Sequence, residues 1–280
     1  MDFTVRGRRA FAYTAAHPLD AAKPSIVFVH GAGLDHSGFG LQSRYFGYHG
    51  WNVLAADLPG HGRSEGPPLD SVEAIADWVA ALLDAAGIEK AGVVGHSLGS
   101  LVALECAARH PARVDRIALV GTAYPMKVSD GFLNAAQAND QSAYDMSTIW
   151  GHAPQAALGA NPNPGMWMHG DALARLGRLA PGVLHAALRA CNDYAGGLEA
   201  AARVKCPALF LLGARDMMTP PRGAQALAAA ISGSQIVQVA AAGHTLMAET
   251  PDAVLDALHG FFPAIFPSSA PSPPSRPPSR

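Results

Sequence analysis

Val93-Val94-Gly95-His96-Ser97-Leu98-Gly99 places one serine between two glycines at the end of a β-branched run. The left flank, 91–94, reads as a short buried strand. The right flank repeats apolar residues at helical spacing through Leu101, Val102, Leu104 and Ala108, and Pro111 ends the pattern. Strand, serine, helix is the setting in which a G-x-S-x-G pattern carries chemistry. A serine hydroxyl is a weak nucleophile at its free pKa, so it has to be held on a sharp turn and paired with a base. Glycines two residues either side of Ser97 have no Cβ, so the strained turn can form and the helix can pack close to the strand. The same pattern also suits a serine that merely caps the helix. The rest of the chain has to decide between the two.

Outward from this segment, strand-like runs at 26–30, 53–56, 92–94, 116–120, 208–212 and 236–239 alternate with helical patterns, after an antiparallel hairpin over 3–13. The alternation predicts an α/β fold: a mostly parallel eight-stranded sheet flanked by helices. The runs at 116–120 and 208–212 are too far apart for one crossover helix, so the gap holds an insertion. The expected organisation is a core of 1–121 and 203–266, a helical lid over 122–202, and a Pro/Ser-rich tail over 267–280. The tail lacks the apolar surface needed to offset ordering entropy, and disorder is expected there. Within the lid, Asn161-Pro162-Asn163-Pro164-Gly165 reads as a turn. Trp150 and Trp167, with Met217 beyond the lid, are candidates to line an apolar substrate pocket. Met and Trp in the lid could equally form its own packing core.

Of the 280 residues, 49% are hydrophobic, enough for a sizeable core. A formal net charge of −2 leaves no basic field for nucleic acid, and Arg6-Gly7-Arg8-Arg9 is too short to supply one. No apolar run reaches the roughly 18 residues of a membrane span, and the N-terminus carries no secretory pattern. Three cysteines, Cys106, Cys191 and Cys206, without paired spacing favour a reducing compartment, so the expected location is cytoplasmic. A monomer or small homo-oligomer is expected.

A serine nucleophile needs a base and a carboxylate to orient it. Asp216 follows the buried run 209–212, and His244 lies in a loop beyond the run 236–239. Both would reach the carboxyl edge of the sheet, where Ser97 would stand and where open α/β sheets bind ligands. Asp216 also reads as a turn residue before Thr219-Pro220, and Asp193, in the lid before Ala195-Gly196-Gly197, is a rival acid. His244 is one of 12 histidines, most of which must be structural. His30 and His61 sit in glycine loops and read as structural, and His96 reads as packing beneath the serine. His36, His152, His169 and His185 show no paired ligand spacing, so no metal site is expected. Cys106 reads as core. The segment Gly31-Ala32-Gly33 with Asp57 after the next strand imitates a dinucleotide-binding unit. The third glycine of G-x-G-x-x-G would fall at His36, which argues against a nicotinamide enzyme.

With Ser97, Asp216 and His244 in the order nucleophile, acid, histidine, the chain resembles the serine-nucleophile branch of the α/β-hydrolase family, over roughly residues 3 to 266. The resemblance extends to His30-Gly31-Ala32-Gly33 and to Asp57-Leu58-Pro59-Gly60-His61-Gly62-Arg63-Ser64. It implies that the backbone N–H groups of Ala32 and Leu98 form an oxyanion hole, and that no cofactor is required. It implies acyl transfer on a small-molecule substrate, with His244 as base and Asp216 fixing its tautomer. A serine at this position departs from the haloalkane dehalogenases and epoxide hydrolases that otherwise resemble the chain, which use aspartate. Hydrolysis of a carboxylic ester of a small to medium apolar acid is the expected activity. Carbon–carbon bond hydrolysis and cofactor-free haloperoxidase or perhydrolase chemistry remain open. So does a receptor-like protein with slow turnover.

Overall fold

A computed structural model describes residues 1–158 and 167–262. The expected turn at 161–165 and the expected disordered tail at 267–280 lie outside the described residues. β1 (Asp2–Val5) and β2 (Arg8–Tyr13) form the antiparallel hairpin, turned at Arg6-Gly7, where both residues have positive φ. There follow β3 (Ser25–Val29), β4 (Asn52–Ala56), β5 (Ala91–His96), β6 (Val114–Val120), β7 (Ala208–Gly213) and β8 (Gln235–Val239). The eight strands form one sheet in the order β1-β2-β4-β3-β5-β6-β7-β8, parallel from β4 to β8. Every residue of β3, β4, β5 and β7 is buried, as strands covered on both faces require.

Helices α1 (Gly40–Tyr48), α2 (Val72–Ala85) and α3 (Leu98–Arg109) connect the first strands. Ser71 caps α2 by accepting from the Ala74 N–H at 3.3 Å. Between β6 and β7 the described residues contain six helices: α4 (Asp130–Gln137), α5 (Gln141–Trp150), α6 (Pro154–Ala157), α7 (Met168–Leu176), α8 (Val183–Asp193) and α9 (Gly197–Arg203). After β7 come α10 (Gln225–Ala230), α11 (Leu246–Glu249) and α12 (Pro251–Phe261). One face of the sheet packs on Leu82, Leu101, Leu104 and Leu227; the other packs Phe28 on Phe46, Leu258 and Phe262. The inserted helices add a small core of their own, built on Phe132, Leu176, Leu184 and Leu188.

β3 has β4 on one side and β5 on the other, so the winding reverses between them. The loops leaving β3 and β5 diverge there and open a crevice at the carboxyl edge of the sheet. Among the described residues, no helix is long and apolar enough to cross a membrane.

Candidate active site

Ser97 joins β5 to α3 with φ 52° and ψ −117°, a conformation disfavoured for any residue with a Cβ. It is held by its own N–H on Val120 O (2.9 Å) and by its carbonyl, which accepts from the Ser100 N–H (2.8 Å) and hydroxyl (2.6 Å). Its side chain makes no capping bond to α3, so the helix-cap reading of this serine does not hold. The glycines follow from crowding. A Cβ on Gly95 would drive into the Gly99 carbonyl, and one on Gly99 into the Val29 carbonyl. A Cβ on Gly31 would come within 2.7 Å of His96 Nδ1 and 3.0 Å of Ser97 Cβ, so the loop after β3 lies directly against the serine turn.

Asp216, beyond β7, and His244, beyond β8, meet: His244 Nδ1 lies 2.8 Å from Asp216 Oδ2, and both residues are buried. Thr219, which the sequence did not single out, donates its hydroxyl to the same Oδ2 at 2.7 Å and stands 3.0 Å from His244 Nδ1. Asp216 Oδ1 accepts the N–H groups of Met218 (2.9 Å) and Thr219 (2.7 Å). Burial pushes the Asp216 carboxyl up, but the facing His244 and the donors from His244 and Thr219 hold it below the usual carboxylate range. In the neutral ring, an ionised acceptor facing Nδ1 places the proton there and leaves Nε2 as the acceptor. The His244 carbonyl accepts from His96 Nε2 at 2.9 Å. Burial, with His244 alongside, lowers His96 to about 3, so it stays neutral; it was expected to pack beneath the serine, but it lines the same cavity as Ser97 and His244.

Ser97 and His244 line one cavity of about 340 Å³, whose wall is mainly apolar: Leu34, Phe132, Leu184, Leu188, Met218 and Trp150. Met217 is also on the wall, 63% exposed. Trp167 is not. It is 70% exposed at the start of α7, and its ring folds back over Gly170, covering its own helix instead of the cavity. Ala32 lines the cavity and Leu98 opens α3. Among the described residues, neither the Ala32 nor the Leu98 N–H has a protein acceptor. Cys191 also touches the cavity, but burial pushes its thiol up to about 12, so it offers no thiolate.

The other candidates are occupied elsewhere. Asp193 pairs with Arg189 one turn away on α8. Asp57 Oδ1 accepts from His36 N (2.7 Å) and faces His36 Nδ1 (2.8 Å), while its Oδ2 accepts from Arg63 N (2.8 Å). No spacing in the sequence pairs His36 with an acid; the structure supplies one in Asp57, because the two residues follow the adjacent strands β3 and β4. Asp35, His36 and Asp57 bring ligand-type atoms within 4.8 Å of one another. Asp35, however, is spent on the Ser37 N–H and hydroxyl, and Asp57 on backbone donors, so the cluster ties loops together. His30 and His61 are bound within their loops, on Gly31 O (2.8 Å) and Pro59 O (3.1 Å), as expected.

A family model described as "Alpha/beta hydrolase family" matches residues 26–257. A pimeloyl-[acyl-carrier protein] methyl ester esterase of Neisseria meningitidis serogroup C is 31% identical over 237 residues, covering 80% of this chain and 88% of that protein. The enol-lactonase of Burkholderia xenovorans superposes with a TM-score of 0.79 at 24% identity, over 94% of this chain and 99% of the other. An esterase of Exiguobacterium antarcticum superposes at 0.80 with 15% identity, over 93% and 98%.

Proposed function

The chain belongs to the alpha/beta hydrolase family, and from that premise we propose that it is a serine hydrolase cleaving carboxylic esters of small to medium apolar acids. The observation that carries the reading is the Asp216–His244 contact of 2.8 Å, reinforced by Thr219, on the wall of the cavity that also receives the uncapped Ser97. His244 takes the Ser97 proton through Nε2, and the serine oxygen attacks the ester carbonyl. Asp216 fixes the tautomer and stabilises the imidazolium. The N–H groups of Ala32 and Leu98 receive the developing oxyanion; losing one such donor costs about 3 kcal/mol of transition-state stabilisation. The alcohol leaves with the proton from His244, and water, activated by the same imidazole, releases the acid from Ser97.

The apolar wall and a volume near the lower end of ligand pockets favour a short to medium acyl chain. Of the inserted helices, α4, α5 and α8 act as the lid over it, and Trp150 and Met217 contact substrate. The meningococcal relative is named for a methyl ester, which favours an ester bond over a carbon–carbon bond. Cys106 and Cys191, buried as thiols, fit a reducing compartment such as the cytoplasm.

The test is hydrolysis of p-nitrophenyl esters from acetate to laurate by the intact protein, Ser97→Ala and His244→Ala. Both variants are expected to lose at least about 10³-fold in kcat while staying folded. Absence of ester turnover by the folded intact protein, or retention of activity by Ser97→Ala, would overturn the proposal.

A further inference from the structure

His244 stands between β8 and α11 in a loop with no helix or strand of its own, so its position has to be fixed by contacts with other segments. The residues on either side of it are fastened to one place. Thr245 donates its N–H and its hydroxyl to Gly151 O, each at 2.8 Å. Glu249, 5% exposed, accepts the Gly243 N–H on Oε1 at 3.1 Å and the Ala153 N–H on Oε2 at 2.8 Å. Gly151 and Ala153 follow α5 in the inserted segment, and Gly151, Trp150 and Thr245 all line the cavity. Contact is so close that a Cβ on Gly243 would fall 2.5 Å from Ala153 N.

We infer that Glu249 is a positioning residue for His244: its buried carboxylate bridges the histidine loop to the segment after α5, so that the imidazole is in place only while that cavity wall is docked. A carboxylate suits the task because two backbone N–H groups from segments far apart in sequence converge on it, one per oxygen. An amide of the same size would turn an NH2 toward one of them. Buried backbone donors left without an acceptor are costly, which explains an acidic group retained in a nearly water-free position. His96 completes the hold through the His244 carbonyl.

The inference rests on His244 being the base, so the experiment reads it twice. Glu249→Gln, Thr245→Val and a control, Leu83→Ala, a core change in α2 away from the cavity, are compared with the intact protein. The readouts are p-nitrophenyl butyrate hydrolysis, the proton NMR resonance of the His244 Nδ1–H, and Tm. Glu249→Gln is expected to lower kcat tenfold or more with KM within threefold, and to broaden or shift the Nδ1–H resonance. Thr245→Val should do the same more weakly, and Leu83→Ala, folded at the assay temperature, should leave both unchanged. Retention of kcat within threefold together with an unmoved resonance in Glu249→Gln would overturn the inference, as would equal losses in Leu83→Ala. Should Glu249→Gln not fold, Thr245→Val decides by the same criteria. If the intact protein hydrolyses no ester, the proposed function fails, while the resonance still tests the positioning.

Discussion

Ser97 has a positive φ that only a fixed surrounding can maintain, and it reaches the cavity with no capping bond to α3. Its conformation was legible because glycine spacing reports backbone crowding directly, and the structure supplies the carbonyls against which each missing Cβ would collide. Asp216 and His244 were legible for a different reason: both fall just past strands, where side chains reach one sheet edge. Thr219 and Glu249 were not legible, because a hydroxyl or carboxylate that works by bridging distant loops leaves no local pattern. Trp167 shows the converse limit, since residue type marks an apolar surface without saying which way it faces. The tautomer argument yields a prediction at this scale. In Asp216→Asn the side-chain oxygen keeps the Met218 and Thr219 N–H groups, so the amide NH2 is turned toward His244 Nδ1. Nδ1 then becomes the acceptor and Nε2 carries the proton, so the imidazole cannot accept from Ser97. The expected loss in kcat is about 10⁴-fold with the fold intact, read by ester hydrolysis beside circular dichroism. A loss under tenfold would remove Asp216 from the proposed role.

Strands in the centre of the sheet were the most legible elements, because β3, β4, β5 and β7 are buried on both faces and their sequences are nearly continuous apolar runs. Their observed ends move by no more than two residues from the expected ones. The insertion was legible only as a loss of strand character. Its helices are short and set by local caps such as Ser129 and Asp140; α4, α5 and α7 pack on each other and on α8, while α9 joins the main core, so the sequence marks the region without resolving its six pieces. Phe132 belongs to that inner cluster, lies edge-on to Trp150 with ring centroids 5.8 Å apart, and also lines the cavity. Phe132→Ala should therefore lengthen the preferred acyl chain by about two to four carbons, at a stability cost of about 3–5 kcal/mol. Initial rates across the p-nitrophenyl ester series check the first effect, and urea denaturation the second. An unchanged chain-length optimum would mean that the wall facing Phe132 does not receive the acyl chain.

Across the whole molecule the buried histidines set the response to acid. Burial lowers His61 and His96 to about 3 and His152 to about 4, and lowers His30 as well, its Nε2 accepting the Leu58 N–H at 3.1 Å and so requiring a neutral ring. In the unfolded chain each would titrate near 6.5. Between that value and the folded one the unfolded state binds more protons, so their contribution to stability is complete above pH 6.5 and falls as the pH drops below it. Asp57 and Asp216, held below the usual carboxylate range, lose their contribution only at lower pH, when they are protonated in the fold. His36 runs the other way. Its hydrogen bond to Asp57 raises it, so what it adds is present below 6.5 and is lost as pH rises through its folded value. Glu249 and Asp115, raised by burial, oppose the trend in the same way, but the lowered rings outnumber these groups, and His61, His96 and His152 each carry up to about 1.4 kcal/mol per pH unit below 6.5. Urea unfolding should accordingly show near-constant stability from pH 7 to 8 and a steep decline from 6.5 toward 4.5. His61→Gln should flatten that decline by about one proton's worth, since the His61 ring, tilted against His30 with centroids 4.9 Å apart, can be replaced without breaking a bond at Nε2, which has no partner among the described residues. A flat profile between pH 6.5 and 4.5, or the same slope in His61→Gln, would show that these rings are protonated in the folded protein.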